Sequence, residues 1–261
     1  MATIDEIIEA AVSDLDQIIA NQPGDLNALY FRGSLLRQLG RVAAALRDLN
    51  QVLALRPDLP EALDERGQAF SLTGRLDAAC EDFLYAAELE PTADRHYRCG
   101  VTLSCLGNYQ NALSQLDKAI SLNPCHVEAL SERGVVRMEL NQTNLARDDF
   151  NAALQLDPTY HIGWANRSAY FYLMGEWAEA IKDASRAIEL ESSYSLAYKL
   201  RALAANELGR AEEAINDLKK FFILEPDGSD RRGLEEVLRS LQPPTQPRNV
   251  CGRLSKFLRG R

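Results

Sequence analysis

The sequence predicts an all-α solenoid of six helix–turn–helix repeats with a capping helix at each end. Three observations predict it. Prolines fall at Pro23, Pro57, Pro91, Pro124, Pro158 and Pro226, spaced 34, 34, 33, 34 and 68 residues, with Ser192 where the missing one belongs. Between them a small residue recurs inside a first apolar run (Gly33, Gly67, Gly100, Gly134, Ser168, Ala202), and a turn residue follows (Gly40, Gly74, Gly107, Asn141, Gly175, Gly209). An alanine then opens a second run in every copy: Ala45, Ala79, Ala112, Ala146, Ala180 and Ala214. Self-similarity at a period of this length marks a stacked repeat array, in which no unit buries its apolar face alone.

The clearest copy runs from Pro60 to Pro91, with Gly67 and Phe70 before the turn at Gly74 and Ala79, Phe83 and Ala86 after it. This pattern resembles the tetratricopeptide repeat family, and the resemblance covers roughly residues 26–228. It implies a right-handed α-solenoid whose first helices line a concave groove for partner peptides, in a non-enzymatic scaffold or adaptor. Fold alone does not name the partner.

Residues 1–25 form the N-terminal cap. Thr3 with Glu6 makes a capping box, and Ile4, Ile7, Ile8, Ala11, Val12, Leu15, Ile18 and Ile19 follow helical spacing. In register this is the second helix of an absent unit. Six repeats follow at 26–59, 60–92, 93–126, 127–160, 161–194 and 195–228, the third one residue short. Residues 229–242 supply a last helix (Leu234, Val237, Leu238, Leu241) that covers the end of the stack. Residues 243–261 begin with a proline-rich spacer, which favours extended chain. They end in a basic tail that places Leu254, Phe257 and Leu258 among Arg253, Lys256 and Arg259. Such a segment suits an anionic membrane surface or, as a pseudo-ligand, the groove itself.

Charge follows the same division. The chain carries −9, but its last 19 residues hold five basic side chains and no acidic one, leaving −14 on residues 1–242. A body that acidic repels nucleic acid. No apolar run approaches membrane-spanning length, and the MATIDEIIEA start lacks a basic region, so a cytoplasmic setting is expected. The five cysteines (Cys80, Cys99, Cys105, Cys125, Cys251) show no pairing pattern and read as buried thiols. Nothing indicates catalysis: His96, His126 and His161 lack metal spacing, and no nucleophile or phosphate-loop motif occurs, so no cofactor is implied.

A row of arginines (Arg32, Arg66, Arg133, Arg167, Arg201) recurs sixteen residues before a row of aspartates (Asp48, Asp82, Asp149, Asp183, Asp217). With a turn between, that spacing sets the two at one height on facing helices, an Arg–Asp ladder bracing each hairpin. The third copy has Cys99 and Gln115 instead. Asp14, at the matching place in the N-terminal helix, is expected to reach Arg32.

If the family's groove carries over, the register places Tyr30, Glu61, Asp64, Glu65, Asp94, Arg98, Glu128 and Glu132 on its solvent-facing acidic part. Asn166, Tyr172, Leu173, Leu196 and Lys199, with Ala165 and Leu200, then line a more apolar C-terminal third. A basic or amphipathic peptide is the expected ligand. The Lys/Asn/Arg carboxylate clamp of chaperone-binding members is not matched, because Tyr30, Ser34, Glu65 and Asp94 stand beside Arg98 at those places. The asparagine ladder of the O-GlcNAc transferase superhelix survives only as Asn166.

Overall fold

The computed structural model describes residues 3–226 and 231–241, and all regular structure among them is α-helical. The chain divides at Asp157/Pro158 into two compact units. In the first, α1 (Ile4–Asn21) precedes four hairpins: α2 (Leu26–Gln38) with α3 (Val42–Leu55), α4 (Pro60–Leu72) with α5 (Leu76–Leu89), α6 (Ala93–Cys105) with α7 (Tyr109–Leu122), and α8 (Val127–Glu139) with α9 (Thr143–Leu156). The second pairs α10 (His161–Leu173) with α11 (Trp177–Leu190) and α12 (Ser195–Glu207) with α13 (Ala211–Leu224), and α14 (Arg231–Leu241) packs on α13.

Every first helix ends the same way. Gly40, Gly74, Gly107, Gly175 and Gly209 take φ of 71–77°, and Asn141 takes 60°. In the first hairpin the N–H of Arg41 then donates to Leu36 O at 2.8 Å and that of Gly40 to Arg37 O at 2.9 Å, which satisfies carbonyls the helix end would orphan. The same bond pair recurs at the other five turns. At the N-terminus the Thr3–Glu6 capping box is formed in both directions.

In the first four hairpins a glycine on the first helix meets a larger residue sixteen residues on. A Cβ added to Gly67 would lie 2.6 Å from the Phe83 ring, and one on Gly134 would lie 2.6 Å from Phe150. Where Ser168 replaces glycine the opposing residue shrinks to Ala184, and Ser168 Oγ donates to Ala180 O at 2.8 Å. The six recurrent alanines that open the second helices are completely buried, letting helix backbones approach closely.

The arginine row forks onto the aspartate row. In Arg32, Arg66, Arg133, Arg167 and Arg201, Nε donates to Oδ2 and Nη2 to Oδ1 of Asp48, Asp82, Asp149, Asp183 and Asp217 respectively, at 2.7–3.0 Å. The aspartates are buried and the arginines half-buried. Nη1 faces the preceding repeat: Arg32 meets Asp16, Arg66 Asn50, Arg133 Asp117 and Arg201 Ser185. The residue serving Arg32 from α1 is thus Asp16, not the expected Asp14. Asp14 matches an aspartate whose arginine belongs to its own hairpin, whereas Asp16 is on the side of α1 that meets Arg32 of α2.

Among the described cysteines, Cys80 and Cys99 are buried, and burial pushes the Cys99 thiol up to about 12. Cys105 and Cys125 are exposed, against expectation, because one ends α6 and the other sits in the turn before α8.

Candidate peptide-binding face

In the first unit the face in question is formed by α2, α4, α6 and α8. Two places on it are built alike. Tyr30 on α2 has its phenol pushed up by burial and then by the carboxylates of Glu65, Glu61 and Asp64 on α4. Tyr97 on α6 is pushed up to about 12, by burial and then by Glu132 and Glu128 on α8. In register Tyr97 is Tyr30 two repeats later, and Glu128 and Glu132 are the counterparts of Glu61 and Glu65. Each place joins an aromatic ring to two acids from the next first helix.

The acids differ in freedom. Glu61, Asp94 and Glu128 are exposed. Glu65 is half-buried and accepts from Arg37 Nε at 2.7 Å. Glu132 is half-buried, and burial raises its carboxyl against a lowering hydrogen bond from Ser104. Asp94 Oδ1 approaches His126 Nε2 at 3.2 Å, and Glu128 lies 3.1 Å from His126 Nδ1. That imidazole caps α8 by accepting from Ala129 N–H and packs against Tyr97 at a 45° tilt, with ring centroids 5.0 Å apart.

Asp64 is a correction. It does not face solvent: it is 8% exposed, with Arg95 Nε 2.7 Å and Arg98 Nη1 3.5 Å away. Arg95 also donates to the backbone and side chain of Glu90. The sequence carries the signal. Arg95 occupies the place that Ala28, Ala62, Ala129, Gly163 and Ala197 hold in the other copies, and Asp64 stands between Tyr30 and Tyr97 in the row. A guanidinium in a core position demands a buried carboxylate, and the preceding repeat supplies it.

In the second unit the corresponding face lies on α10 and α12. Leu173 is exposed, whereas Tyr172, Leu196, Asn166 and Lys199 are half-buried. Ala165 and Leu200 belong to the core, so the apolar surface is narrower than expected. The tail residues Arg253, Lys256, Phe257, Leu258 and Arg259 lie outside the described residues, as does Cys251. Among the described residues no group of three metal-ligating side chains converges. No helix among them is long and apolar enough to cross a membrane.

Helical hairpins of this length, closed by a left-handed turn and stacked in register, define an all-α repeat protein of the solenoid class. The tetratricopeptide repeat family model matches residues 8–60, 32–94, 105–161 and 170–220, and the chain belongs to that family. A FAM10 family protein of Arabidopsis thaliana is 36% identical over 74 residues, which is 28% of this chain and 17% of that protein. The chain thus spans under a fifth of that relative's length. Among solved structures, a chain of the APC/C hetero-tetramer Cut9-Hcn1 superposes with a TM-score of 0.79 at 18% identity, over 92% of this chain and 46% of that one. A tetratricopeptide repeat protein from Parabacteroides merdae gives 0.75 at 20% identity, over 90% and 92%. Family members are in general protein-interaction scaffolds without catalytic activity.

Proposed function

We propose that this chain is a scaffold that holds a basic peptide along the first-helix face of its first unit. The observation that carries the reading is the repeated pairing of a half-buried tyrosine with two carboxylates, at Tyr30 with Glu61 and Glu65 and at Tyr97 with Glu128 and Glu132. A ring face beside carboxylates suits a lysine or arginine side chain, which gains cation–π attraction and ion pairing together. Asp64 lies between the two places, but Arg95 and Arg98 already occupy it. The ligand's basic residues therefore belong at the two tyrosines, two repeats apart.

Selection from a random peptide display library on the immobilised full chain tests this. Recovered peptides should be enriched in lysine and arginine pairs separated by a fixed spacer. No enrichment, or recovery of acidic peptides, contradicts the reading.

A further inference from the structure

Helix α1 carries a surface that every other second helix buries. In repeat register Ala11 matches Ala45, Asp14 matches Asp48, Leu15 matches Leu49 and Ile18 matches Val52. Ala45, Leu49 and Val52 are fully buried, and Asp48 is 5% exposed. What covers them is α2. Its Gly33 lies so close that an added Cβ would be 3.0 Å from Leu49 Cγ, and its Arg32 forks onto Asp48. α1 uses its other side, Ile8, Val12 and Ile19, to pack on the first two hairpins. Its own Ala11 and Leu15 are only half-buried and Asp14 is exposed. Ile18, Ile7 and Ile4 are 44%, 61% and 76% exposed.

We propose that this face docks an amphipathic helix from a protein partner, with an arginine on Asp14 and, immediately after it, a small residue over Leu15. The chain itself specifies that chemistry. Five of its hairpins hold their second helix with such a dipeptide: Arg32–Gly33, Arg66–Gly67, Arg133–Gly134, Arg167–Ser168 and Arg201–Ala202. In each, the arginine grips the aspartate sixteen residues on. Charge agrees. α1 carries Asp5, Glu6, Glu9, Asp14 and Asp16 and no basic side chain, so the occupant's rim is basic. Asp16 and Glu9 are already engaged by Arg32 and Arg41, while Asp14 is left to the newcomer. Length agrees as well: from Ile4 to Ile18 the stripe runs about 21 Å at 1.5 Å per residue, close to the length of one first helix. This surface is separate from the first-helix face and does not rest on the reading above.

The probe is a hydrocarbon-stapled, fluorescein-labelled peptide of residues 24–39, the chain's own Arg–Gly first helix, titrated with the full chain. The staple supplies the helicity that so short a peptide lacks in water. Saturable binding should weaken roughly tenfold or more with Asp14→Ala in the chain, or with Arg32→Glu in the peptide, as expected for a lost charged hydrogen bond. Ile18→Glu in the chain should abolish it. These chain sites are exposed, and unchanged circular dichroism confirms that the variants fold. Equal binding of the Arg32→Glu peptide, indifference to Asp14→Ala and Ile18→Glu, or no binding at 100 μM peptide (about −5.5 kcal/mol) would overturn the proposal. So would a concentration-dependent dimer in sedimentation that Ile18→Glu dissolves, because the occupant would then be a second copy.

Discussion

Single side chains set the tightest limits. At Gly67 a Cβ would sit 2.6 Å from the Phe83 ring, so Gly67→Ala must push that ring aside. Overpacking of this kind costs about 1–3 kcal/mol, and chemical denaturation should show a midpoint lowered accordingly. Gly24, with nothing within 4 Å of its added Cβ, is the control that should change little. Glu132 gives a pH-dependent counterpart. Burial raises its carboxyl, so the folded chain binds that proton more tightly than the unfolded chain does. The resulting cost is present above the folded value and disappears below the unfolded one. Glu132→Gln should therefore raise the melting temperature at pH 7, with the gain shrinking as pH falls through the carboxylate range. A gain that grows toward acid would contradict the burial. Residue identities alone reveal the glycines, because they recur. They do not reveal Asp64 and Arg95, which appear once and make sense only as two simultaneous departures from the repeat.

At the scale of the hairpin, the forked pairs tie first helix to second. Arg66→Ala and Asp82→Ala should each destabilise, and the double variant should lose less than their sum, with coupling of about 0.5–3 kcal/mol in a thermodynamic cycle. Strict additivity would mean that the fork contributes nothing. The third hairpin has Cys99 and Gln115 in place of the pair, with Gln115 bonded to His96 at 2.8 Å. Hydrogen exchange should find the amides of α7 opening before those of α5. Elements were the most legible level, since period, turn residues and terminal prolines are local signals repeated six times. The direction of pairing between repeats was not. Asp16 rather than Asp14 meets Arg32, because two residues along a helix turn a side chain to its far side.

Across the whole molecule the acidic balance resolves into occupied and available charge. The ladder aspartates and Asp64 are buried and engaged by arginines, which removes them from any tally of ligand-binding acids. Glu61, Asp94 and Glu128 are exposed on the first-helix face. The sequence register lists all of these acids together, and only packing separates them. Reversing Asp64 would break a buried ion pair, at roughly 3–5 kcal/mol, and confuse folding with binding. The exposed pair is the cleaner choice. The most direct measurement is fluorescence anisotropy of a lysine- and arginine-bearing peptide, recovered by display, against wild type and Glu61→Lys/Glu128→Lys. The double variant should keep its helical circular dichroism, bind far more weakly, and lose the salt dependence of the wild-type affinity. Unchanged affinity and salt dependence would show that the two tyrosine–carboxylate places do not hold the peptide.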